Sequence, residues 1–203
     1  MEPIRIIKSK ATPLDMANID TDQIIPKQFL KLIQKTGYGK YLFYDWRFDK
    51  NGKLKPNFVL NDPKYQGREI LVTRDNFGSG SSREHAVWAL EDYGFKAIIA
   101  PSFADIFYSN CFKNGILPIK LNASDVEYLI RDADDEEIKI DLAVQEVLVA
   151  HKILRFQIDE SRKKKLLEGL DDIDITLNME SQIAEYEKKK STSDHMIFTW
   201  KIR

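Results

Sequence analysis

Residues 76 to 90, NFGSGSSREHAVWAL, set two glycines, Gly78 and Gly80, among three serines, Ser79, Ser81 and Ser82, then run through Arg83, Glu84 and His85 into an apolar helical pattern. A strand that ends in such a loop and passes into a helix presents several backbone N–H groups at the positive end of a helix dipole, where anions bind. The glycines permit left-handed backbone and close approach of a ligand where a Cβ would obstruct it. The serines add hydroxyls, and Arg83 offers a planar fork suited to two oxygens at once. A plainer reading stands beside this one: Ser82, with His85 three residues on, is a helix cap and no more. A nucleotide loop does not fit, since the stretch lacks both the Gly-Lys-Ser/Thr of a P-loop and the third glycine of a dinucleotide fingerprint. A small anion remains, a carboxylate or a phosphate.

His85 is the histidine nearest the loop; in a first helical turn it either packs and bonds nearby backbone or exchanges protons. Glu84 is placed to stabilise the helix N-terminus. Cys111 falls in an apolar helical pattern, which makes it a core residue rather than a nucleophile.

The elements that must position these residues follow from periodicity. IRIIK reads as a strand, and TPLDMANIDTDQIIP, rich in Asp, Asn, Thr and Pro, as an ordered loop that bonds its own backbone. Between about 27 and 68 the pattern is irregular, with a short helix and an aromatic cluster in KQFLKLIQKTGYGKYLFYDWRF and turn-rich segments after it. A strand at 69–73 then leads into the glycine and serine loop. The helix that follows carries Ala86, Leu90 and Tyr93 on one stripe and ends at Gly94. KAIIA is a strand; SFADIFYSNCFKNG is a helix with Ser102 as N-cap and Phe103, Ile106, Phe107 and Phe112 as its apolar positions; ILPIK is a strand. Strand, helix, strand, helix, strand at these spacings predicts a right-handed parallel unit with helices covering the sheet. SDVEYLIRDA reads as a helix, and EIKIDLAVQEVLVAHKILRFQI as three antiparallel strands. A short basic helix closes at Gly169, NMESQIAEYEKKK is a last amphipathic helix, and the tail STSDHMIFTWKIR has no assignment.

A chain of 203 residues predicts one core, with 1–203 as a single domain: a core over about 1–160 and a helical extension and tail over about 161–203. With 31 basic and 32 acidic residues the net charge is -1, so no overall field favours nucleic acid or an anionic membrane, and any anion must be met locally. No apolar run reaches the ~20 residues a membrane helix needs, and the N-terminal stretch lacks a secretory pattern, so the expected compartment is the cytoplasm. One cysteine excludes an internal disulfide, and with three scattered histidines (His85, His151, His195) it cannot supply a zinc or iron–sulfur site, so no metal is expected on this chain.

Taken together, GSGSSREHA, NIDTDQIIP upstream and APSFADIFYSNCFKNGILPI downstream resemble the swivelling domain of the aconitase superfamily. With FLK and YDWRF added, the set resembles the family of bacterial 3-isopropylmalate dehydratase small subunits, in the same order over roughly residues 1 to 190. The resemblance implies an α/β fold, a three-layer swivelling β/β/α domain of the aconitase C-terminal type with added C-terminal helices. It implies a hydro-lyase that interconverts 2- and 3-isopropylmalate by dehydration and rehydration in leucine biosynthesis, active only with a large subunit that carries a four-iron four-sulfur cluster. By motif position it makes Ser81 the base that removes the proton beside a carboxylate. Ser82 supplies an amide or hydroxyl, Arg83 grips a carboxylate, and Asp22 is an active-site aspartate, although a turn-forming Asp is an equal reading. Where aconitases carry a substrate-binding arginine this chain reads PKQFLKL; Lys31 is the nearest cation, a point charge in place of a fork. Leu30, Leu32 and Ile33 are available as an apolar wall for an isopropyl group, and Arg47 reads as a substrate ligand or a structural contact to Asp45 or the large subunit. The aromatic residues of YLFYDWRF, Trp46 among them, are expected to be exposed and to meet that subunit. Two rivals stand: a sister hydro-lyase acting on citraconate, maleate or dimethylmalate, and an anion-binding module with no chemistry.

Overall fold

The computed structural model describes the backbone of residues 1–31 and 36–199 and the side chains of 1–31 and 36–190. Two compact units divide the chain, Met1–Gly169 and Leu170–Arg203. The first contains β1 (Ile6–Ser9), β2 (Ala11–Leu14), α1 (Thr21–Ile24), α2 (Tyr44–Arg47), β3 (Ile70–Thr73), α3 (Glu84–Tyr93), β4 (Ala97–Ala100), α4 (Asp105–Lys113), β5 (Leu117–Lys120), α5 (Ala123–Arg131), β6 (Ile138–Asp141), β7 (Glu146–Val149), β8 (Lys152–Arg155) and α6 (Glu160–Glu168).

Four strands, in the order β2-β3-β4-β5, form a parallel sheet, and β1-β6-β7-β8 form an antiparallel one. Every residue of β3 and β4 is buried, as expected of parallel strands covered on both faces. Alternation divides them between two cores. Ile70, Val72 and Ile99 join Ile138, Ile140, Val147 and Val149 of the antiparallel sheet and Val126 and Leu129 of α5. Leu71, Ile98 and Ala100 face Ala86, Val87 and Leu90 of α3 and Phe107 and Cys111 of α4. The parallel sheet is thus the middle layer, with α3 and α4 on one side and the antiparallel sheet and α5 on the other. This is the α/β layering that the sequence predicts.

Arg68, nearly buried, ties these layers together. Its guanidinium donates to the Ala11 carbonyl and, at 2.8 and 3.1 Å, to the carbonyl and carboxylate of Asp134 in the turn before β6. Lys64 and Tyr65 also donate to the Asp134 carboxylate.

Several expectations are corrected. Residues 12–14, read as loop, belong to the edge strand β2, and Pro13 is tolerated there because it pairs on one side only, with Val72 of β3. Asp20 opens α1 through a reciprocal capping box with Gln23. Neither the expected Ser102 cap nor the plainer alternative of a Ser82 cap forms. The residue before α3 is Arg83 and that before α4 is Ala104, both without a side-chain cap bond, while Ser102 Oγ accepts the Asn76 amide at 2.8 Å. The YLFYDWRF rings are not an exposed patch: Leu42 and Phe43 are fully buried, and half-buried Trp46 stacks on Phe43 with ring centroids 5.4 Å apart. Ile106, expected on the buried face of α4, is 53% exposed.

The second unit contains α7 (Asp172–Leu177) and α8 (Glu180–Thr199). Helix α8 takes in most of the unassigned tail, and its residues 180–190 are exposed all round, so the expected amphipathic face buries nothing there.

Candidate active site

Because β2, β3 and β4 run parallel, their C-terminal ends open on one edge of the sheet, where ligands of open α/β sheets bind. The loops leaving those ends are stitched together. The amides of Gly78 and Ser79 donate to the Ile19 carbonyl at 2.8 and 3.2 Å, and the Thr21 amide donates to the Ser79 carbonyl at 2.8 Å. On the other side the Phe77 amide donates to the Ser102 carbonyl at 3.2 Å, and the Ala104 amide to the Phe77 carbonyl at 3.0 Å. Asn18 and Asn76, both left-handed at φ 58°, are linked by a 3.0 Å side-chain hydrogen bond. Asparagine tolerates that conformation better than most residues, which is why two of them mark these tight crossings.

The glycine and serine loop is shaped at two positions. Gly78, at φ 76°, lies against the Phe107 ring, and a Cβ there would overlap it. Gly80, at φ 90°, lies beside Thr21, whose hydroxyl a Cβ would meet at 3.4 Å. That hydroxyl donates to the Ser81 carbonyl at 3.0 Å and holds the loop where its serines are displayed. Ser81 and Ser82 are exposed, and among the described residues the amides of Gly80, Ser81 and Ser82 donate to no protein acceptor. Arg83, with its side chain 15% exposed, forms an ion pair with Asp22 on α1, and Lys27 lies 3.3 Å from the same carboxylate.

A cavity of about 280 Å³ opens here, lined by Thr21, Gly78, Gly80, Ser81 and Arg83 and by residues 104–107 at the start of α4. The structure therefore brings Ser81, Arg83, Gly78 and Gly80 into one cavity, with Asp22 behind the guanidinium. Ser79 serves through its backbone ties. Ser82 and Lys31, both exposed, do not line the cavity. Leu30 packs against the α3/α4 core, and Leu32 and Ile33 lie outside the described residues. Arg47 is a structural cation: it donates to Asn61 at 3.1 Å and to the carbonyls of Gly39 and Leu42, not to Asp45, and burial lowers its pKa. His85 packs edge-on against Tyr38, with centroids 5.4 Å apart, and burial lowers its pKa. Glu84 sits in the first turn of α3 and accepts from Asn114 at 3.0 Å. Cys111 is fully buried, which pushes its thiol well up and leaves it unreactive.

Thr21, Lys27, Asp105 and Ile106 were not singled out as site residues from the sequence. The capping-box spacing of Asp20 and Gln23 is a signal that would have placed Thr21 on a helical turn. For Asp105 and Ile106 no local signal exists, because only the order of strands brings α4 to the loop. Chemically, the cavity unites an exposed hydroxyl, free loop amides, the N-terminus of α4 and a guanidinium, which suits a carboxylate held beside a proton acceptor. Among the described residues no group of three or more His, Cys, Asp or Glu is placed to hold a metal, and no helix is long and apolar enough to cross a membrane.

Comparison with known proteins adds kinship to this geometry. The family described as the aconitase C-terminal domain matches residues 1–124. The chain is 58% identical over 192 residues to a 3-isopropylmalate dehydratase small subunit of Geobacillus sp., covering 93% of this chain and 98% of that one. It is 52% identical to the corresponding subunit of Leptospira interrogans, covering 98% and 99%, and 48% identical to that of Bacillus subtilis, covering 95% and 98%. Among solved structures, a 3-isopropylmalate dehydratase from Methanocaldococcus jannaschii superposes with a TM-score of 0.64 at 28% identity, covering 90% of this chain and 99% of that one.

Proposed function

Since this chain belongs to the aconitase C-terminal domain family, we infer that it is the small subunit of a 3-isopropylmalate dehydratase, a hydro-lyase that works only when joined to a large subunit. The observation that carries the reading is the single cavity shared by Ser81 and Arg83, in a chain whose relatives of that name match it nearly end to end.

The reaction breaks a C–H bond beside one carboxylate and a C–O bond on the adjacent carbon, forms a C=C bond and releases water; readdition with the positions exchanged gives the isomer. Ser81 Oγ takes the proton. A serine hydroxyl is too weak an acid to lose its own proton unaided, so the developing charge must be stabilised; the free amides of residues 80–82, the α4 N-terminus and the Arg83 guanidinium are the groups at hand. Arg83 holds a substrate carboxylate with the donors that Asp22 leaves free, and Asp22 keeps the fork in place. Thr21, through the Ser81 carbonyl, fixes the loop that aims the hydroxyl.

The described residues of this chain do not fit an iron–sulfur cluster, since its one cysteine is buried in the core. In this reading the cluster would sit on the large subunit and would supply Lewis-acid chemistry. A dicarboxylate also carries more charge than this cavity offsets, since Arg83 is paired with Asp22 and Asp105 also lines the wall, so in this reading the partner brings further cations.

The test is reconstitution without oxygen with a cluster-loaded large subunit, following alkene diacid formation from 3-isopropylmalate, citraconate and maleate. Turnover of 3-isopropylmalate that needs both chains is expected. Activity confined to another diacid would move the chain to a sister hydro-lyase, and a formed but silent complex would make it a binding module.

A further inference from the structure

The first turn of α4 brings to the cavity a side chain that neither the proton step nor the carboxylate grip uses. Ile106 is 53% exposed on a helix whose other large apolar residues, Phe107, Cys111 and Phe112, are buried. A lone exposed isoleucine is ordinary. This one lines the same cavity as Ser81 and Arg83, with Asp105 next to it on the rim. Its position on α4 is anchored by the adjoining Phe107, which is buried against Gly78 and Phe77.

An occupant of the cavity offers its carboxylate to Arg83 and must offer something else to Ile106 and Asp105. A further carboxylate there would lose water against an apolar side chain and meet a like charge. An alkyl branch would lose water with profit and meet no polar group left unpaired. Of the residues from which such a wall was expected, Leu30 packs against the core, and Leu32 and Ile33 lie outside the described residues.

We propose that Ile106, with Asp105 beside it, determines specificity: Ile106 seats the branched alkyl substituent of the malate, and Asp105 turns away a third carboxylate. The proposal rests on the dehydratase reading. It is tested on the reconstituted two-subunit enzyme with malates bearing methyl, ethyl and isopropyl groups, comparing the unaltered chain with Ile106→Val and Ile106→Ala, while association with the large subunit is titrated separately. The unaltered enzyme should prefer the larger alkyl group. Ile106→Ala should cut the isopropyl-over-methyl preference in kcat/KM by roughly 10-fold, mostly through KM, with Ile106→Val in between and association unchanged. An unaltered preference in Ile106→Ala, alongside an active parent enzyme, overturns the proposal alone. A preserved preference with weakened association overturns it too and makes Ile106 an interface residue. A parent enzyme silent on all three malates overturns the dehydratase reading and the proposal with it.

Discussion

At the scale of single residues, the site separates into groups that touch substrate and groups that hold them. In the proposed mechanism Ser81 and Arg83, which line the cavity, belong to the first class, and Thr21 and Asp22, which bond to them, to the second. Ser81→Ala should leave the circular dichroism spectrum and subunit association intact while lowering kcat by about 10²- to 10⁴-fold, the usual worth of a positioned acid–base group. Turnover close to the parent's would remove Ser81 from the role of base. Arg83→Lys keeps the charge but loses the fork that serves Asp22 and substrate together. The expected cost is roughly 10- to 100-fold in kcat/KM, the size of a lost charge-assisted hydrogen bond. A lysine variant with parent-like KM and kcat would show that the carboxylate is gripped elsewhere.

Among the elements, the loop after β3 and the turn before β6 make opposite demands. The loop needs absent side chains. Gly78→Ala must take a left-handed residue and displace the Phe107 ring, whereas Gly80→Ala meets Thr21 and the Asp20 Cβ at ordinary contact distances of 3.4 Å and beyond. Thermal melts should therefore place Gly78→Ala below Gly80→Ala, the latter carrying strain of about 1–2 kcal/mol and the former that plus the overlap. Equal melting points would contradict the overlap. The turn, by contrast, needs a present charge. Burial pushes the Asp134 carboxyl up, but the hydrogen bonds from Lys64, Tyr65 and Arg68 outweigh it and set its pKa below the ordinary 3.8. A depressed carboxyl stabilises the fold above its unfolded-state pKa, and that stability is lost as pH falls through the folded value, so the loss belongs below about pH 4. Asp134→Asn should remove this acid sensitivity from denaturation curves and cost about 1–3 kcal/mol at neutral pH, because buried Arg68 loses its carboxylate partner at 3.1 Å and keeps only Asp135, at 3.7 Å, and two carbonyls. Curves with the same acid limb in parent and variant would assign that limb to other carboxylates.

For the whole molecule, the proposed reading makes the open cavity and the exposed Ser81 half of a site. Arg83 is already paired with Asp22 and Asp105 adds a negative charge to the lining, so the isolated chain should bind isopropylmalate too weakly to register by calorimetry at submillimolar concentrations; tight binding would favour a stand-alone diacid module instead. Trp46, placed inside the aromatic cluster, is a poor probe of the partner surface, since a charge there disrupts packing against Phe43 before it disturbs any interface.

Local chemistry was legible because its cause is local. The buried runs of β3 and β4 name parallel strands, Gly94 closes α3 in a left-handed turn, and the glycines beside serines name a tight, left-handed loop before α3. The quoted motifs likewise carried the α/β layering and the family. What the tertiary structure decided depends on neighbours distant along the chain. ATPL becomes β2 only through pairing with β3, which no pattern of four residues containing Pro13 announces. Ile106 has the period of a core residue and is turned out because α4 starts only at Asp105 and its first turn faces the cavity rather than the sheet. Arg47, read as a substrate ligand or a structural contact to Asp45 or the large subunit, is a structural cation whose partners, Asn61 and two carbonyls, spacing did not name. In each case a side chain's role was set by which strand ends share an edge, a property of the fold's order in space that spacing along one segment cannot encode.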